Sequence, residues 1–188
     1  MGSFCMKFVA LMVVMGVSVS CHQNQQPDKA TVEAIRFALM AEVSKYLDFE
    51  SYSNYIVLSK TDCPLCDEFK PNDVPQLLFD TFLKNNTRHS EINQDFGEQF
   101  LFVDIEEIRK KVKSDVYHFS WSLFYKNYPG SGGLITISKL ALSLEGDNAL
   151  IFYSIVQNEG SSGHGSMVLM EKVNSKWQFK KDIDGFVN

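Results

Sequence analysis

The sequence predicts an α+β fold, with N-terminal helices packed on a C-terminal antiparallel β-meander in a single domain. Three observations predict it. Residues 128–183 alternate β-rich runs with turn residues. Residues 29–47 repeat apolar side chains at helical spacing. A chain of 188 residues with 45% apolar content and 15 Phe has material for one core and hardly for two.

Residues 1–20 read as an export signal. Lys7 is their only charge, and residues 8–19 are an apolar run interrupted only by Gly16 and Ser18. That run is too short to span a bilayer as a mature helix. Without these residues, 17 Lys and Arg face 23 Asp and Glu, a net charge of −6. No basic cluster offsets the acidity, which argues against nucleic acid as a partner.

Small residues lead to Cys21. Ser18-Val19-Ser20-Cys21 resembles a bacterial lipobox, departing from it at Ser18, where Leu or Val is usual. The resemblance implies that the Cys21 thiol is lipidated, that the leader is cut off before it, and that the new amine is acylated. Two or three acyl chains anchor durably where one is marginal. Met6-Lys7 also resembles an ordinary signal-peptide start, so Met6 is an alternative first residue. His22 is not the Asp that holds enteric lipoproteins at the inner membrane, so the outer membrane is the expected location. A soluble secreted protein cut near the same place is the alternative.

Residues 21–28 read as a polar tether containing Pro27. The helix over 29–47 sets Val32, Ile35, Leu39 and Val43 on its apolar side, with Tyr46 or Leu47 ending it. Glu33, Arg36, Glu42 and Lys45 are assigned to the opposite side, and Asp28 or Thr31 to the cap. A short strand over 54–59 follows. Residues 73–84 read as a helix, with Asp73 as candidate cap and Pro75 in its first turn. Residues 85–99 read as a loop. Its sequon Asn85-Asn86-Thr87 carries no weight in a bacterial lipoprotein. A short strand is expected over 100–103 and a helix over 104–113, its acids first and its bases last, in accord with the helix dipole. Residues 117–128 are rich in aromatics, a pattern that usually marks core or sheet-facing surface.

Residues 129–133, Pro-Gly-Ser-Gly-Gly, read as a turn into the sheet. They lack the order of a phosphate-binding loop, and a strand rather than a helix follows. Strands are expected over 134–144, 149–156 and 166–173. The second is almost continuously apolar, as for a central strand covered on both faces. Asn174-Ser175 reads as a two-residue hairpin loop, followed by a strand with Trp177 and Phe179 on one face. Residues 157–165 read as a glycine-rich break.

The C-terminal third resembles an uncharacterised family of bacterial envelope lipoproteins typical of the Bacteroidetes. The elements that carry the resemblance are Tyr-Pro-Gly-Ser-Gly-Gly from Tyr128, Ser138, Ala-Leu-Ile-Phe-Tyr from Ala149, Gly163-His164-Gly165, and the segment from Leu169 to Trp177. The family often has cysteines in the glycine-rich loop and Gly at the last hairpin. This chain has none in that loop and Ser175 at the hairpin. The resemblance implies no activity, and neither cofactor nor metal is expected.

Two clusters bear on chemistry. Cys63 and Cys66 form a C-x-x-C between an expected strand and an expected helix, as in thioredoxin-like sites. Lys70 to Pro75 holds two prolines and no aromatic stands directly before Cys63, so a structural disulfide or two quiet thiols is preferred to a redox pair. A zinc site needs two more ligands, and His89 and His118 stand alone at long spacing. Ser161, Ser162, Gly163, His164 and Gly165 set serines beside a histidine but lack the G-x-S-x-G elbow. They read as a flexible hairpin loop and a candidate binding loop. The expected function is a non-enzymatic binding or scaffolding module, held to the membrane through Cys21, with a protein or small molecule as its partner. An envelope thiol–disulfide protein acting through Cys63 and Cys66 is the alternative.

Overall fold

The computed structural model describes residues 27–61, 73–92, 94–112, 119–158 and 162–187. It is α+β, a single domain with a seven-stranded mixed sheet and helices on both faces. In chain order the elements are α1 (Lys29–Val43), a 3₁₀ turn (Ser44–Tyr46), β1 (Asn54–Leu58), α2 (Gln76–Asn85), β2 (Phe100–Val103), α3 (Ile105–Val112) and α4 (Trp121–Asn127). The strands β3 (Ser131–Ile137), β4 (Ala141–Leu142), β5 (Asn148–Asn158), β6 (Ser162–Val173) and β7 (Lys176–Val187) complete the chain.

The C-terminal strands form the expected antiparallel run β3-β5-β6-β7. The expectation of a purely antiparallel C-terminal sheet needs extending. β1 pairs in parallel with β3 on one side and with β2 on the other, giving the order β2-β1-β3-β5-β6-β7. Two N-terminal strands thus complete the sheet. Each is followed by helices, as parallel connections require.

Alternation along the strands sorts the core into layers. Tyr55 and Val57 of β1, Ile135 and Ile137 of β3, and Ala149, Ile151, Tyr153 and Ile155 of β5 pack beneath Ile35, Leu39, Met40 and Val43 of α1. On the other face, Leu150 and Phe152 meet Leu78, Phe79 and Phe82 of α2. Beside them, Ile56 and Leu58 meet Ile108 and Val112 of α3 and Phe124 of α4. β5 is therefore covered on both faces, as its apolar run predicts.

Asp28 caps α1, accepting from Thr31 N at 2.9 Å and from the Thr31 hydroxyl at 2.8 Å. Asp73 is not the cap of α2. That place falls to Pro75, and the Asp73 carboxylate lies 3.3 Å from Lys181 Nζ. Arg36 does not belong to the polar side of α1, because it is 7% exposed and faces inward with its apolar neighbours.

Three local expectations change for steric or hydrogen-bonding reasons. The turn at 131–133 is the start of β3. A Cβ on Gly132 would meet the Tyr55 ring, and one on Gly133 would meet the Val156 carbonyl. The strand expected over 134–144 splits into β3 and β4. Between them Ser138 Oγ accepts from Phe152 N at 2.8 Å, and the Asn86 side chain takes both backbone groups of Lys139. The break at 157–165 contracts, because Val156 pairs with Gly163, Ile155 with His164 and Ser154 with Gly165.

Candidate functional site

Of the residues singled out in the sequence, Cys21, Cys63, Cys66 and Ser161 lie outside the described residues. Ser162 opens β6, and Gly163, His164 and Gly165 follow within the strand. They are not a flexible loop, and Gly163 and Gly165 are not among the positive-φ glycines Gly97, Gly130, Gly133 and Gly146. His118 lies outside the described residues, and His89 Nδ1 lies 2.6 Å from the Thr61 carbonyl. Among the described residues no group of three or more His, Cys, Asp or Glu is placed to hold a metal ion.

His164 has a defined setting. Its register partner on β5 is Ile155, so it projects from the α1 face of the sheet. Tyr153 is the diagonal neighbour, a spacing at which two long side chains meet. Tyr153 Oη lies 2.7 Å from His164 Nε2. Tyr46 approaches from the 3₁₀ turn after α1, its ring centroid 5.1 Å from the imidazole and tilted by 30°. That turn is closed by Ser44 Oγ donating to the Met40 carbonyl at 2.7 Å. The imidazole therefore lies against two tyrosine rings, one buried and one half exposed.

Burial raises the Tyr153 hydroxyl well above its ordinary pKa, with smaller contributions from Asp182, Tyr46 and Glu42. The hydroxyl is thus protonated at neutral pH. It can donate to Nε2 of one imidazole tautomer or accept from Nε2–H of the other. His164 Nδ1 has no hydrogen bond to a described residue. The arrangement stacks the imidazole against two aromatic rings, one of them on the half-exposed Tyr46. Among the described residues no carboxylate is hydrogen-bonded to the imidazole, as one is where a catalytic imidazole is oriented. Glu42 is instead ion-paired to Lys45 at 2.5 Å.

Sequence reasoning reached His164 through its glycine-rich setting and missed Tyr153, hidden in an apolar strand. It took Tyr46 as a helix-face residue. The available signal was register, since a hairpin closing near residue 160 sets Tyr153 diagonal to His164.

No described helix is long and apolar enough to cross a membrane. Compared with protein-family models, curated proteins and solved structures, the chain matches none.

Proposed function

We propose that the chain is a bacterial envelope lipoprotein, anchored through Cys21 at the outer membrane. Its folded domain is a non-enzymatic binding module whose contact surface is Tyr46, His164 and Tyr153. The carrying observation is the placement of α1. Its capped N-terminus follows the tether, and its C-terminus delivers Tyr46 to His164. The helix has 15 residues, about 22 Å at 1.5 Å per residue. An anchored domain would hold the aromatic surface that far from its tethered end. The protonated Tyr153 hydroxyl supports binding over catalysis, because it braces the imidazole without making it a stronger base.

Cell fractionation tests the anchor. Cys21→Ala should move the protein from the membrane to the soluble fraction, and full membrane retention overturns the anchor. Photo-crosslinking in intact envelopes tests the surface. A photoreactive residue at Tyr46 should give adducts that His164→Ala abolishes, and one at exposed Leu144, near the start of β5, should give none. Equal adducts from both positions overturn the surface.

One observation favours a second reading, a thiol–disulfide role. Cys63 and Cys66 follow the C-terminal end of β1, which is paired in parallel on both sides, and strand ends of this kind commonly carry sites. A reduction potential below about −300 mV would mark a structural bridge and refute the redox role.

A further inference from the structure

The side of α1 turned away from the sheet is apolar too. Ala30, Ala34, Phe37 and Ala41 follow the spacing i, i+4, i+7, i+11 and form one exposed stripe. It runs opposite the buried residues Ile35, Leu39 and Val43. Phe37 is 62% exposed, more than any other large hydrophobic residue among those described. A surface helix ordinarily turns polar residues outward, and a helix that is apolar on both sides is a covered one.

Two observations point to the cover. The first is charge. Lys29 pairs with Glu33 at 3.6 Å, and Lys45 of the 3₁₀ turn pairs with Glu42 at 2.5 Å. The charges bordering the stripe thus cancel, while the chain as a whole carries −5. An acidic chain can bring this face to lipid headgroups without repulsion. The second is position. Cys21 precedes Lys29 by eight residues, a span of at most about 28 Å. Phe37 lies about 12 Å farther along the helix. A lipid anchor at Cys21 keeps the stripe within reach of the bilayer, at an effective concentration that makes a weak contact count. Helices that bind membranes unaided use a basic face, and a tethered helix does not need one.

We propose that α1 lies along the lipid surface, with the Phe37 ring inserted at the boundary between headgroups and acyl chains. This rests on the anchor at Cys21 proposed above. The small side chains of Ala30, Ala34 and Ala41 let the helix come close enough for the ring to enter. A helix lying flat carries its Tyr46 end along the membrane, so the surface of Tyr46 and His164 meets its partner beside the bilayer.

The test uses the lipidated protein in phosphatidylcholine vesicles, with a photoreactive residue in place of Phe37 or of Leu77. Leu77 is 54% exposed and lies on α2, across the sheet from α1. Flotation of the vesicles reads the anchor, and mass spectrometry of the floated protein reads the adducts. Lipid adducts should be about tenfold more frequent from position 37, the value of taking a phenyl ring out of water. A photoreactive residue in place of Ala41 should also label lipid, and Phe37→Asp should lower that labelling by a similar factor. Unchanged labelling overturns the role of Phe37. Equal yields from positions 37 and 77, or floated protein without lipid adducts at 37, overturn the inference and leave the anchor standing. Adducts between protein chains at 37 in place of lipid also overturn it, and identify a second copy as the cover. Protein that does not float overturns the anchor, and the inference falls with it.

Discussion

Tyr153 shows how much one hydroxyl can decide. It lies within the apolar core beneath α1, yet its oxygen braces His164 at 2.7 Å. Tyr153→Phe keeps the ring and removes that bond. It should lower stability by about 1 kcal/mol, read from urea denaturation. Alkaline titration offers a second check. Burial raises the hydroxyls of Tyr153, Tyr55 and Tyr125 above the ordinary tyrosine pKa. Below about pH 10 both the folded and unfolded states keep these protons, and the stabilisation is complete. Above it the unfolded chain loses protons first, so stability falls as pH rises. The fall should be shallower in Tyr153→Phe, and an identical slope would count against the burial of this hydroxyl. Arg36 marks the limit of reading residues by type. Val32, Arg36, Leu39 and Val43 follow the spacing i, i+4, i+7, i+11, which places Arg36 on the buried stripe. Its charge alone suggests the polar side, whereas the spacing, weighed first, shows it facing in.

At the scale of elements, sequence periodicity was most legible where contacts are local. α1 with its Asp28 cap, α3 with its ordered charges, and the continuously apolar β5 all follow from neighbouring residues. The parallel pairing of β1 with β3 did not, because nothing in the run from Asn54 to Leu58 states which distant strand it will meet. The split between β3 and β4 was hidden for a similar reason. Asn86, just past the end of α2, acts as a surrogate strand. Its Nδ2 donates to the Lys139 carbonyl at 3.0 Å, and its Oδ1 accepts from Lys139 N at 2.8 Å. Asn86→Ala leaves both backbone groups without these partners and should cost about 2 kcal/mol. Amide exchange should accelerate at Lys139, while unchanged protection there would show that the loop holds itself. The last hairpin answers a question the sequence posed. Asn174 and Ser175 both take positive φ, 49° and 63°, so Ser175 adopts the conformation that Gly favours in a type I′ turn. Ser175→Gly should raise the denaturation midpoint by an amount equivalent to about 1 kcal/mol.

The whole molecule is held together by strands that serve two layers at once. β1 gives Tyr55 and Val57 to the α1 layer and Ile56 and Leu58 to the layer of α3 and α4. β5 gives Ile151 to α1 and Phe152 to α2. Because no layer can lose its strand without exposing another, the three clusters should unfold as one unit. The two tryptophans make this testable. Trp177 packs against the α1 layer, and Trp121 packs against the layer of α3 and α4. Variants retaining one tryptophan each, Trp121→Phe and Trp177→Phe, report the two faces separately by fluorescence. If the sheet couples the layers, Phe152→Ala should shift both reporters equally, although Phe152 belongs to neither cluster but to that of α2. The cost of removing a fully buried phenyl is about 3–5 kcal/mol. That is a large share of the roughly 5–15 kcal/mol that stabilises a typical domain, so the common shift will be unmistakable. A shift seen by only one tryptophan, measured against its own single-tryptophan parent, would mean that the faces melt independently. The sheet would then be a seam between two folding units, not their shared core.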